Sequence, residues 1–359
     1  MSLTNKIKND KDFQKILKPI LPQKDSFQTI STKKAFSNEY VCLAETELAN
    51  SYQSSLVGIA FDYIARFKIA KEIANNQESA YINLVAIKSL KLLEGKIDSK
   101  IYIKLKKHYI KMLSIIIEDI HNSPFPMRDI MNFIHHKEEF DAYMLALKNM
   151  SKKKELYEIN IKEVFSSAVF MAKLDHIYRS GIIPDDLEFL FDKPDKTIID
   201  DLQDLYVLFN ERFIKSGLVN EESLVMFNPS FGKLNSLAVG GADADIYIDG
   251  VLYELKTTKN TGYKWQDVAQ LIGYYLLHLS AIEHEDDTSS TNELMINTLA
   301  FYKARYGEIE YFHINDLKAT EILDSLKKLY KYFNWEYSND FDEYYKKSIY
   351  DKWLYKFTK

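Results

Sequence analysis

Apolar residues recur at helical spacing through most of the chain before Ser223 and alternate at strand spacing only in the short runs after it. From residue 40 to 74 they return every three or four positions. Ser54-Ser-Leu-Val-Gly-Ile-Ala-Phe-Asp-Tyr-Ile-Ala-Arg-Phe67 therefore reads as an amphipathic helix with serines available as caps. The same spacing predicts helices over 81–93, 101–120, 129–147 and 161–178, with a charged break at Ser151-Lys-Lys-Lys154. No repeat period relates them. Residues 1–40 are polar and basic and are interrupted by Pro19 and Pro22, so they read as a leader that packs loosely or wraps the body.

A linker rich in proline and aspartate, residues 180–195, precedes a helix expected over 197–215. Ser223-Leu-Val-Met-Phe-Asn-Pro-Ser-Phe231 then reads as a strand ended by Pro229. Two short apolar strands joined by Asp249-Gly250 follow, then a helix over 265–279, a strand over 297–304 and a helix opened by Asp316 that runs to about residue 333. The order is helix, three strands, helix, strand. The C-terminal stretch interleaves aromatic, lysine and aspartate residues. It could stack bases, but it reads more simply as an amphipathic helix burying Trp335, Phe341, Tyr345 and Trp353.

The hairpin carries the chemistry. A two-residue turn pairs Ile248 with Val251, which sets Asp245 opposite Glu254 and Asp243 opposite Lys256, all four on one face. Like charges directly opposed destabilise a sheet, so Asp245 and Glu254 need a compensating partner. Mg²⁺ suits the pair, because it takes one or two carboxylates and fills its shell with water and substrate phosphate. Either Asp243 or Asp245 could be the first ligand. Asp245 is preferred because the apolar alternation of Ile246 and Ile248 begins directly after it.

These residues resemble the PD-(D/E)xK nuclease superfamily: an acid ends one strand and the next carries Glu254-Leu255-Lys256. Gln270-Leu-Ile-Gly-Tyr274, on the following helix, is similar to the Q-x-x-x-Y signature of the RecB-type branch. The resemblance spans residues 220–315. It implies a restriction-endonuclease-like core, a mixed β-sheet flanked by helices, here with a large N-terminal all-α region. It also implies Asp245 and Glu254 as metal ligands, with the Leu255 carbonyl as a possible third, Lys256 at the attacking water, and Gln270 and Tyr274 lining the nucleic-acid cleft. The helix over 54–74 resembles the first core helix of such nucleases, with Gly58 and Asp62 fitting its glycine-then-acid pattern; Asp62 also reads as a solvent-facing aspartate. The domain expectation is a leader over 1–40, a helical region over 41–196, a nuclease core over 197–320 and a helical extension over 321–359.

Periodicity offers a geometric check on the helix after the hairpin. Trp265, Val268, Ile272, Tyr275, Leu276 and Leu279 form one stripe at 100° per residue, and Asp267, Gln270 and Tyr274 lie opposite. Gln270 and Tyr274 should then be neighbours on the side turned away from this helix's main core.

Composition narrows the function. A single cysteine, Cys42, excludes an internal disulfide, a four-cysteine zinc site and a four-cysteine iron–sulfur cluster. The formal net charge of −5 means that DNA binding would rely on a local basic surface. Lys104, Lys106, Lys107, His108 and Lys111 form such a cluster, which could meet a phosphate backbone or be a solvated helix face. His135-His136 has no metal-ligand spacing to another His or Cys. No run of eighteen apolar residues and no apolar signal core occur, so a cytoplasmic protein without a membrane partner is expected. The expected activity is Mg²⁺- or Mn²⁺-dependent hydrolysis of phosphodiesters in DNA, in bacterial or phage repair or defence. The alternatives are a non-catalytic nucleic-acid-binding module that keeps the nuclease fold and a helical protein-interaction domain.

Overall fold

The structure, a computed structural model, describes residues 2–77, 79–82, 84–121, 160–283, 294–338 and 340–347. The helix expected over 129–147, the break at 151–154, His135, His136 and Trp353 lie outside them. In chain order the elements used below are α1 (Leu3–Asn9), α2 (Lys11–Leu17), β1 (Gln28–Thr29), α3 (Ser51–Glu72), α4 (Ser79–Ile82), α5 (Val85–Leu93), α6 (Ser99–His121), α7 (Ile161–Ser180) and α8 (Lys196–Phe209). They continue with β2 (Val225–Phe227), α9 (Lys233–Val239), β3 (Ile246–Ile248), β4 (Val251–Lys256), α10 (Trp265–Glu283), β5 (Thr298–Lys303), β6 (Glu308–His313) and α11 (Ala319–Phe333). Two units share them. A sheet unit holds Met1–Leu43, Lys215–Val219 and Ser223–Lys359, and a helical unit holds Ala44–Ile214 and Asn220–Glu222. Among the described residues no helix is long and apolar enough to cross a membrane.

In the helical unit, side-chain caps set the helix starts. Asn50 accepts from the Gln53 amide at 2.9 Å to open α3, Asn160 from the Lys162 amide at 3.1 Å to open α7, and Asp195 from the Thr197 amide at 2.9 Å to open α8. Gly181, at φ 67°, closes α7 in the left-handed region. The buried stripe of α3, including Leu56, Ala60, Phe61, Ile64 and Phe67, packs against α7 and α8. The sequence reading made α3 a candidate first core helix; its apolar face packs inside the helical unit. Asp62 sits half-buried beside Arg179, whose guanidinium lies above its ordinary pKa because Asp175, Tyr63 and Asp62 together outweigh burial. The unit also claims α8, which the sequence had assigned to the nuclease core, because Ile198, Leu202 and Leu205 turn inward there.

The sheet unit is α/β: one six-stranded mixed sheet, order β1-β6-β5-β4-β3-β2, flanked by helices. Only β4 and β5 run parallel, joined through α10. The hairpin register is the expected one, Ile248 against Val251 and Ile246 against Tyr253. Its turn explains why. Asp249 and Gly250 have φ of 46° and 94°, the pair of positive values a tight hairpin turn demands. A Cβ on Gly250 would also stand 2.6 Å from the Asn297 side-chain nitrogen, which would have to move aside.

The supposed leader is part of this core. Leu3, Ile7, Phe13, Ile16 and Leu17 are buried, α1 packs on α10, α2 packs on α11, and β1 extends the sheet beyond β6. Pro19 and Pro22 end α2 without releasing the chain from the body. Likewise α11 belongs to the sheet unit's core through Ile322, Leu326, Leu329 and Tyr330, rather than to a separate extension. Phe341 and Tyr345 are buried with it, while Trp335 is half-buried.

Candidate functional site

Register carries the side chains into place. Glu254 of β4 stands beside Phe301 of β5, which stands opposite Glu310 of β6, and Lys256 stands beside Lys303. Leu252, Leu299 and Phe312 share that face and sit in the core with α10. The face is therefore apolar at one end and charged at the end where β4 and β5 finish. β3 begins at Ile246, one residue after Asp245, so Asp245 makes no ladder bond of the hairpin. Its Oδ2 instead accepts from the Leu255 N–H at 2.7 Å, closing the hairpin's open end with a side chain.

Glu254 is the hub. Its Oε1 accepts from Lys256 Nζ at 3.0 Å and from Gln270 Nε2 at 3.0 Å. Gln270 spends its second amide hydrogen on the Tyr274 hydroxyl at 2.7 Å, and that hydroxyl donates to the Asp243 carbonyl at 2.9 Å. Burial first, then the charge of Glu254, holds the Tyr274 phenol well above its ordinary pKa, so it remains a donor at neutral pH. Thus the structure brings Asp245, Glu254, Lys256, Gln270 and Tyr274 together. Asp243 joins through its backbone, its residue exposed and bridged to Ser230. Leu255 contributes its N–H to Asp245, and its buried side chain points to the opposite face of the sheet. Asp62 lies in the other unit.

Two features of the site differ from the sequence reading. From Leu271 to Ala281 α10 has no face turned away from protein: every residue there is buried, as are Val268 and Ala269, with Tyr274 against Phe231 at 5.4 Å between ring centroids and Gln270 half-buried. The polar groups of Gln270 and Tyr274 are tolerated there because each is hydrogen-bonded. The second is Asp267, in the first turn of α10, whose Oδ1 lies 3.7 Å from Lys256 Nζ. Its signal was its place on one helical face with Gln270 and Tyr274. Burial acts to lower the pKa of the Lys256 ammonium, but Glu254, Asp267 and Asp245 outweigh it and the net shift is upward. Lys256 is therefore a fixed positive charge.

The remaining oxygen of the hub tests whether a cation fits. Glu254 is only 7 % exposed, and its Oε2 is buried with no hydrogen-bond partner among the described residues. A buried carboxylate oxygen left in that state costs more than a hydrogen bond unless something else compensates it. Glu254 lies 3.0 Å and Asp267 3.7 Å from Lys256 Nζ, and Asp245 adds a third acidic charge that acts on it, a formal local charge of −2 that one divalent cation would cancel. Among the described residues no group of three or more His, Cys, Asp and Glu side chains is placed to hold a metal. No protein-family model matches this chain, and no curated protein or solved structure matches it either.

Proposed function

We propose that this chain is a metal-dependent nuclease that hydrolyses phosphodiester bonds in DNA, built on a restriction-endonuclease-like core of the RecB type, and that it works in the cytoplasm in bacterial or phage repair or defence. The observation that carries this reading is Glu254, whose one oxygen is fixed by Lys256 and Gln270 while the other is buried and uncompensated. Asp245 and Glu254 would hold Mg²⁺ or Mn²⁺. Bound there, the ion supplies a nucleophilic water at neutral pH and neutralises charge on the phosphoryl oxygens.

The chain's own residues do the rest. Gln270 fixes the Glu254 carboxylate through one amide hydrogen and is itself fixed by Tyr274 through the other, so that Oε2 keeps its direction. Lys256, held charged by its acidic neighbours, offers a cation to the pentavalent phosphorus without reorganising at the moment of reaction. The test is incubation with labelled single- and double-stranded DNA and RNA in Mg²⁺, Mn²⁺ or EDTA. Cleavage of DNA with either metal and none in EDTA is expected. A protein that binds nucleic acid but cleaves nothing, and whose melting temperature ignores both metals, is instead a non-catalytic module.

A further inference from the structure

The helical unit holds a second charged feature that the candidate site does not use. Of the chain's 47 lysines and arginines and 52 acids, residues 88–111 hold eight and two, leaving the rest of the chain at 39 against 50. On α6 these lysines are ordered. Lys100, Lys104, Lys107 and Lys111 follow one another at spacings of four, three and four, so they share one helical face, and all four are exposed. The row is about 16 Å long at 1.5 Å per residue. Lys106 leaves it, its ammonium 5.9 Å from the Tyr102 ring.

Like charges at these spacings repel and weaken a helix. Among the described residues only Lys104 of the four has an ion-pair partner, Glu188 at 2.7 Å, and both members are half-exposed or more. His108, beside the row, packs edge-on against Phe170 and Phe191; burial first, then Lys111, Lys104 and Lys173, lowers its pKa below 6.5. His108 therefore supplies no counter-charge to the row. The opposite side of α6 is occupied: Leu105, Tyr109, Leu113, Ile116 and Ile117 are buried, and the helix packs on α3 and α7.

We propose that the lysine row of α6 binds the phosphate backbone of DNA. A straight row of cations is complementary to a linear polyanion that carries one charge per ~1.7 Å of duplex axis. An anionic membrane fits less well, because a helix that lies on a bilayer inserts an apolar face and that of α6 is already spent inside the unit. Binding here is independent of hydrolysis, and the two separate by experiment.

The test uses the full chain in EDTA, where metal-dependent cleavage is off, and measures affinity for a fluorescein-labelled DNA duplex by anisotropy across a salt series. Lys100→Gln, Lys104→Gln, Lys107→Gln and Lys111→Gln together should weaken binding by at least about tenfold near 0.1 M salt and flatten the log–log salt slope by about 3 to 4, close to 0.9 for each phosphate no longer neutralised. A control with the same charge change elsewhere, Lys11→Gln, Lys15→Gln, Lys328→Gln and Lys346→Gln, should retain the wild-type slope, and both variants should still unfold cooperatively. An unchanged slope in the row variant overturns the proposal, as does an equal loss in the control, or a wild type that binds vesicles containing phosphatidylserine and not the duplex. A row variant that loses binding in a protein with no cleavage activity upholds this surface and refutes the nuclease, whereas cleavage with an unchanged slope does the reverse.

Discussion

Glu254 and Lys256 are two residues apart on one strand and make different contributions, so substituting each should separate metal binding from chemistry. Glu254→Gln keeps the shape of the side chain and removes its charge. The wild type should gain stability from Mg²⁺, about 2.7 kcal/mol at a hundredfold excess over Kd, and the variant should lose that gain in thermal melts along with cleavage. Lys256→Ala should keep the metal-linked gain and the affinity for DNA while cleavage falls by roughly 10²- to 10³-fold. Gln270→Ala should cost about 10- to 100-fold in activity or metal affinity, because it orients a ligand and is not one. The hairpin was readable in the sequence because the turn is so constrained: Asp249-Gly250 sets the register from Ile248–Val251 to Ile246–Tyr253, and Asp245, just beyond the paired residues, meets β4 through its side chain on the Leu255 N–H. Asp267 was harder to read, since its 3.7 Å approach to Lys256 depends on how the loop after β4 returns, and no periodicity describes a loop.

At the scale of elements, β6 is a strand that the sequence analysis did not name. In Glu308-Ile-Glu-Tyr-Phe-His313 the glutamates look like a solvent face, yet Glu308 and Glu310 are buried. They capture the N-terminal segment: Glu308 accepts from the Ser31 amide and hydroxyl, and Glu310 from the Phe36 N–H at 2.7 Å and the Tyr40 hydroxyl at 2.9 Å. Lys303 pairs with Glu310 at 3.3 Å, and the two side chains are 5 % and 0 % exposed. Truncating one member of a buried pair strands the other, so Glu310→Ala should destabilise by about 3 to 5 kcal/mol in urea denaturation. α6 supplies a prediction in pH. His108 has a folded pKa below its ordinary 6.5, so the unfolded chain takes up its proton first, and the stability this group contributes above pH 6.5 is lost on acidification. Lys104→Gln with Lys111→Gln should raise the His108 pKa, read by NMR titration, and shrink its share of that loss.

For the whole molecule, the helical and sheet halves were visible as a change of period, from three or four residues to two, near Ser223. Their boundaries were not. Whether an amphipathic helix such as α8 packs with the helices before it or the strands after it depends on tertiary partners that a hydrophobic stripe does not name. Residues 1–40, too, look loose by composition and are held by contacts with residues far along the chain. The Leu3 N–H bonds to the Gly241 carbonyl at 3.0 Å, and a Cβ on Gly273 would meet the Leu3 side chain at 3.2 Å. Leu3→Ala should therefore destabilise the sheet unit by about 2 to 5 kcal/mol, as a core truncation and not as a frayed end, measured by calorimetry or hydrogen exchange in α10.

Pairing of β1 with β6 has a consequence for synthesis, because Gln28 and Tyr311 are 283 residues apart. A ribosome finishes every residue of the helical unit at Glu222, before it has made β2. The helical unit can fold on the emerging chain, while α1 and α2, with Leu3, Phe13 and Leu17 uncovered, wait for α10 and α11. Through that interval the segment over residues 3–40 keeps apolar side chains uncovered, a target for chaperones that hold such segments. Stalled chains ending just past Glu222 should give a protease-resistant helical fragment and protease sensitivity over residues 3–40, where resistance should appear only once α11 has left the exit tunnel.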